Sequence, residues 1–461
     1  MELHAMSQPP RRIAPGPPGH FLLGNLREFR SDVLGLVVHA SATYGDVVRC
    51  RLGPKIVHLI NHPDLITQVL QKRAANYDKE TRSSAAIRAI SGDSLLTCNG
   101  TKWKLRRRMD QPAFHHHRIA GFAGKMTGET SAMLGRWKAL RAGATLDIAS
   151  EMSRLTYSIV GRTLFSFDTG EDSAAVEKAM HVMLPHVFAR LGNILNPPGW
   201  FPTPANRRFT RALADVDRVV YRIIGEHRRT SGTPEASNDL LAMLMEVRDS
   251  ETGASLSDSQ LRDETITFLL AGHETTANAL SWIFHLIASH PDIETRLIGE
   301  IDTVLGERIP TLEDVDKLTY TGAVTREAMR LYPPIWIIER RVIAEDVVGR
   351  YTLPAGSAVV ISPYALHRHP AFWERPEEFD PDRFLGKSPA AYIPFGAGPR
   401  FCIGHEFAMM EAHLITAMVL QSFRLRSIPG HPVEPQPDIT LRPKNGLPMT
   451  LHPRKGRAIP H

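Results

Sequence analysis

The stretch Leu261–His290 constrains the fold more than any other part of this chain. It is amphipathic to nearly all-apolar along its whole length, and Pro291 stops it. A run of that length and polarity reads as one long helix crossing a protein interior, with other helices packed around it. No uninterrupted apolar run reaches the roughly 18 residues that read as a membrane-spanning helix, so no integral membrane segment is expected. Short strands accompany the helices. Val47–Leu52 and Ile56–Ile60 flank Gly53-Pro54 as a hairpin, after which Pro63 opens a helix, and Val347–Leu353 and Ala358–Ile361 flank Pro354-Ala355-Gly356 as a second pair. The fold class is therefore mainly α with small β-sheets. With no low-complexity linker in 461 residues, residues 13–461 are expected to form a single domain after a disordered leader at 1–12.

Composition narrows the function. Three scattered cysteines, Cys50, Cys98 and Cys402, exclude a disulfide scaffold and any Cys-x-x-Cys metal site, which suits a reducing cytoplasm. The net charge of +6 comes with no nucleic-acid motif, so no nucleic-acid partner is expected and an acidic protein is the better match for the excess. His115-His116-His117 lacks the spacing of a closed metal shell, since adjacent residues diverge on a helix.

Cys402 sits in Phe395-Gly396-Ala397-Gly398-Pro399-Arg400-Phe401-Cys402-Ile403-Gly404, directly before a helical pattern. A cysteine at a helix N-terminus meets unpaired backbone N–H groups and the positive end of the dipole, which favours the thiolate. The glycines let the backbone approach a flat partner closely. Arg400 adds a fixed cation. Haem answers both features, because its iron takes a thiolate and its propionates take an arginine fork. The plainer alternative, a small buried thiol, stays open on this loop alone.

Two further patterns carry chemistry. Ala271-Gly272-His273-Glu274-Thr275-Thr276 places a glycine, an acid and hydroxyls inside the long helix, which suits a proton relay to a bound small molecule and equally suits a kink with Glu274 facing solvent. Glu327 and Arg330 share a helix face just before Pro333-Pro334, and Pro381-Asp382-Arg383-Phe384 supplies a third partner if it folds onto that helix.

In this order and spacing the motifs resemble the cytochrome P-450 family, from about Pro15 to Pro448. Phe395 to Gly404 matches its cysteine loop, Ala271 to Thr276 its distal helix, Glu327-x-x-Arg330 with Pro381-x-Arg383-Phe384 its buried lock, and Trp103-Lys104-Leu105-Arg106-Arg107 its Trp-x-x-x-Arg. The resemblance implies haem b between a long distal helix and the helix after the cysteine loop. Cys402 is then the iron's thiolate ligand, and Phe395 and Gly404 belong to the cofactor loop. Trp103, Arg107, Arg341 and Arg400 meet the propionates, with Arg341 preferred to Arg340 because Arg341-x-x-x-x-Asp346 fits the family spacing better. Thr275 meets dioxygen while Glu274 feeds protons. Glu327, Arg330 and Arg383 are structural.

By the same resemblance, a pocket is formed by Arg82 to Leu96, Pro185 to Trp200, Phe268 and Ala271, Ile335 to Ile338, and Asn445 to Leu447. Ile87, Ile90, Phe268, Ala271, Ile335, Trp336, Ile337 and Leu447 make it apolar, which implies a lipophilic substrate such as a fatty acid, terpenoid or polyketide. The implied activity is that of a soluble, cytoplasmic, monomeric monooxygenase. Its electrons derive from NAD(P)H through a reductase and a separate ferredoxin or flavodoxin, which the basic run Lys102, Lys104, Arg106, Arg107 and Arg108 steers. The alternatives are a haem-thiolate isomerase, dehydratase or peroxygenase that needs no reductase, and a haem-binding sensor without catalysis.

Overall fold

The computed structural model describes residues 12–166, 171–192, 198–230, 239–249, 251 and 253–454. Apart from Arg12, the leader lies outside the described residues, as does 193–197 within the Pro185 to Trp200 segment. The described chain is mainly helical with small sheets, as the sequence implies. It forms two compact units, each assembled from separated segments: residues 12–81, 337–376 and 390–401 in the first, and the described residues of 82–336, 377–389 and 402–454 in the second.

The first unit is built on a five-stranded sheet in the order Val47–Leu52, Lys55–Ile60, Ala358–Ile361, Ile338–Val342, Tyr77–Asp78. The expected first hairpin forms with Val48 opposite Leu59. The second expected pair does not. Gly349 takes φ +60 and turns the chain back, so Asp346–Val348 pairs with Tyr351–Leu353, while Ala358–Ile361 lies parallel to Lys55–Ile60 and antiparallel to Ile338–Val342. Val48, Leu59 and Val360 pack with Val37 and Ala40 of helix Val33–Tyr44, whose N-cap Asp32 accepts the Gly35 N–H.

In the second unit the long helix runs Asp258–Ser289, hereafter the central helix. A capping box between Ser257 and Gln260 starts it, and Pro291 opens the next helix at its first position, where the missing N–H costs nothing. Trp282 anchors its C-terminal half: its Nε1–H donates to the Leu441 carbonyl at 3.0 Å and its ring stacks on Tyr332 at 3.9 Å. Gly272 has a packing reason. A Cβ there would stand 3.1 Å from Val160 Cγ2 of helix Ile148–Leu164, so the glycine lets two helices approach. Helix His405–Ser422, almost wholly buried, follows Cys402 and is called the proximal helix below.

Candidate functional site

Cys402 lies two residues ahead of Gly404, the N-cap of the proximal helix. It is solvent-accessible, yet protein crowds the sulfur enough that desolvation pushes its thiol pKa up; the Gly404 backbone N–H and the Arg107 guanidinium act against that rise. Both are groups that hold a thiolate ligand in place. Arg107 sits on the basic helix Gly100–Asp110, one turn beyond Trp103, and both are partly buried. Phe114, which sequence reasoning missed, lies 3.9 Å from where a Cβ on Gly404 would stand, and its ring meets Phe268 of the central helix at 5.1 Å.

On the central helix, Thr275 donates its hydroxyl hydrogen to the Ala271 carbonyl at 2.6 Å. Ala271 is exposed and Thr275 partly so, which is unusual for small groups in a helix otherwise buried at this level. Glu274 accepts from the Thr440 hydroxyl at 2.8 Å, and Thr440 in turn accepts from Asn278 at 2.9 Å. The acid is thus oriented rather than simply solvated. Its partner is distant in sequence, and no local signal pointed to it. Thr156 donates to the His273 carbonyl at 3.1 Å, a bond from outside the helix that supports its backbone beside Gly272. Glu411 on the proximal helix is fully buried, and burial pushes its carboxyl well up while the Thr276 hydroxyl acts against the rise.

The first unit holds another group of cations. Arg340 is 8% exposed, donates from Nη1 to its neighbour's Glu339 carbonyl, and is pushed down to about 10 by burial and by the Arg400 charge. Two guanidinium groups that repel each other in low dielectric are a receptor for anions. Arg341 is different. Its fork is occupied by Asp78, with Nε to Oδ1 at 3.0 Å and Nη2 to Oδ2 at 2.5 Å, and its side chain is 42% exposed. Asp346, whose spacing favoured Arg341, takes the Tyr77 hydroxyl at 2.6 Å and an ion pair from Arg73. Consecutive strand residues point to opposite faces, and of these two arginines Arg340 is the buried one. In the cysteine loop, Phe395 lies 6.4 Å from Phe401, and Gly398, at φ +72, could carry no Cβ because it would meet the Leu70 carbonyl oxygen at 2.0 Å.

Glu327 and Arg330 are fully buried and paired twice, Nε to Oε2 at 2.7 Å and Nη2 to Oε1 at 2.8 Å. The Pro381–Phe384 turn folds onto them. Arg383 Nε stands 3.4 Å from Glu327 Oε1, the Asp380 N–H donates to the same oxygen, and Arg330 also donates to the Glu378 carbonyl. Every charge in this lock has a protein partner.

Other expected residues separate. Ile87 is partly buried and Ile90 buried on helix Arg82–Ser91, Ile335 is partly buried, and Leu447 is buried with its N–H donated to Asp147. Trp336 is buried with Nε1–H donated to the Asp438 carbonyl, and Ile337 packs against the Val48, Leu59 and Val360 cluster. Within the basic run, Arg106 is buried against Glu264 and Arg108 pairs with Asp249 and Glu251, while Lys102, paired with Asp93, and Lys104 are exposed. The acid partners of Arg106 and Arg108 lie far away in sequence, which charge counting along one helix misses.

Within the second unit, a thiolate-directing N–H and a cation acting on the same sulfur fit a ligand for haem iron; the buried arginine pair of the first unit, by itself, fits an anionic group such as a carboxylate. The family model for cytochrome P450 matches residues 14–449. Cyclooctat-9-en-7-ol 5-monooxygenase of Streptomyces melanosporofaciens is 40% identical over 84% of this chain and 84% of its own length. Cyclooctatin synthase of the same organism is 39% identical over 86% and 87%, and pentalenene oxygenase of Streptomyces avermitilis 35% over 90% of each. The chain belongs to the cytochrome P450 family. It is a cytochrome P450 monooxygenase with a haem-thiolate cofactor. Among the described residues, no helix is long and apolar enough to cross a membrane.

Proposed function

We propose that the protein inserts one atom of dioxygen into a terpenoid-like, lipophilic substrate. The observation that carries this reading is the sulfur of Cys402, held between the Gly404 N–H and the Arg107 charge at the start of the proximal helix. When bound, the haem supplies activation of dioxygen with two electrons and transfer of one oxygen atom. Cys402 would hold its iron, and Trp103, Arg107, Arg340 and Arg400 would be partners for its carboxylates, with Arg340 taking the place first given to Arg341. Phe395 and Gly404 would belong to the cofactor loop. Ala271 and Thr275 leave a small, polar opening on the central helix, and Glu274, aimed by Thr440, holds a proton for delivery through the Thr275 hydroxyl. Glu327, Arg330 and Arg383 fix the Pro381–Phe384 turn. Phe268 and Ile90 contribute apolar wall.

The substrate class rests on the apolar residues and on relatives named for cyclooctat-9-en-7-ol and pentalenene. Electrons are assigned to NAD(P)H through a reductase and a separate ferredoxin or flavodoxin. Both compact units are assigned to one catalytic domain because the chain passes between them repeatedly, and the protein is assigned to the cytoplasm as a monomer. Screening cyclic terpenes against the ferric protein tests the substrate class. A high-spin shift followed by a product carrying one added oxygen, formed only with reductant and dioxygen, is expected. Turnover that persists without either would overturn the monooxygenase reading in favour of isomerisation or dehydration.

A further inference from the structure

The basic helix and the central helix enclose a group of charges that the mechanism above does not use. Asp110, at the end of the basic helix, is fully buried, and among the described residues neither carboxyl oxygen forms a hydrogen bond. Glu264, near the start of the central helix, is also fully buried; its two oxygens accept the Leu95 N–H at 2.9 and 3.0 Å. Arg106 stands between the helices, 3.4 Å from Glu264 through Nε, and its Nη1 has no hydrogen-bond partner among the described residues. Two buried carboxyl groups therefore lie under the charge of the Arg106 guanidinium.

Ionising both acids is costly in such surroundings. Burial and the Glu264 charge push Asp110 well up, against Arg106 and Arg107; burial pushes Glu264 to about 7, against the Leu95 N–H and Arg106, with Asp263 adding to the rise. Asp93, flanked by Lys102 and Arg88, completes the charges around Arg106. Burial of both carboxyl groups, with Asp110 lacking any hydrogen bond among the described residues, thus favours a proton on the cluster. It does not pass that proton to the distal residues, because Phe268, locked against Phe114, lies on the same helix face between Glu264 and Thr275. Its route outward is electrostatic. Asp110 acts on Arg107 one turn back, and Arg107 acts on the Cys402 sulfur.

We propose that Asp110, Glu264 and Arg106 form a proton-holding cluster that couples uptake of a buried proton to reduction of the cofactor through the positioning residue Arg107. This rests on the haem-thiolate reading. Reduction takes one electron from the electron-transfer partner and draws up to one proton from water onto the cluster; by reciprocity, losing that proton makes reduction harder. The potential of the holoenzyme should then fall as pH rises through neutrality.

Electrochemical titration across pH tests this with wild type, Asp110→Asn and Glu264→Gln. The wild-type potential should slope downward with pH, and both variants should give flatter lines. A redox-difference infrared spectrum of the wild type, which needs no variant to fold, should show a protonated carboxyl band that changes on reduction. Parallel lines for wild type and variants, or no such band, overturn the proposal. If the reduced, carbon monoxide-bound protein keeps its thiolate signature in that case, only the coupling fails; a missing signature defeats the haem-thiolate reading itself.

Discussion

The lock in one unit and the cation pair in the other use the same residue type to opposite ends. Around Glu327 the carboxylate meets Arg330 twice, Arg383 once and a backbone N–H, all out of water. Around Arg340 the Arg400 guanidinium outweighs the opposing Glu339 carboxylate, and among the described residues the protein supplies a single neighbouring carbonyl as hydrogen-bond acceptor. A buried arginine whose charge is balanced within the protein is scaffold. One held near its own kind, at a cost to its protonated form, is kept for an anion that arrives from outside.

Glu327→Ala should break the first region hardest. Removing one partner leaves buried guanidinium charge uncompensated, and a loss of about 3–5 kcal/mol is expected in denaturant unfolding; a loss under about 1 kcal/mol would make the lock a surface-like pair. Acid should act on both units through buried neutral histidines. Burial holds His58 in the first unit and His413 in the second down at about 4. The unfolded chain protonates these rings near pH 6.5 while the folded one does not, so stability is full above that value and lost as pH falls toward 4, by about 3 kcal/mol for each ring. His413→Asn should flatten the stability profile of the second unit in that window. Arg340→Ala should leave the protein folded and weaken cofactor retention about tenfold, the worth of a charge-assisted hydrogen bond. Arg341→Ala is the control: its pair with Asp78 is partly exposed, and its loss should shift stability by less than about 1 kcal/mol and retention little.

The large features were legible because they are local. The central helix and its proline stop, the first hairpin and the cysteine loop all follow from patterns within a few turns of chain. What stayed hidden depends on pairing at a distance. Nothing near Glu274 announces Thr440, nothing near Arg106 announces Glu264, and nothing near Arg341 announces Asp78. Gly272 belongs to a motif that reads locally as a relay or a kink, and its neighbour proves to be Val160 of a packed helix. Gly349 splits what read as one strand because a single positive φ turns the chain.

The central claim is that Cys402 is a thiolate ligand held by Gly404 and Arg107. The most direct measurement is the absorption spectrum of the reduced, carbon monoxide-bound protein, wild type beside Cys402→Ala. The wild type should show the band of a thiolate-ligated haem, and the variant should lose it while circular dichroism reports an unchanged helical fold. A wild-type spectrum without the thiolate band, or a variant that retains it, would contradict the account.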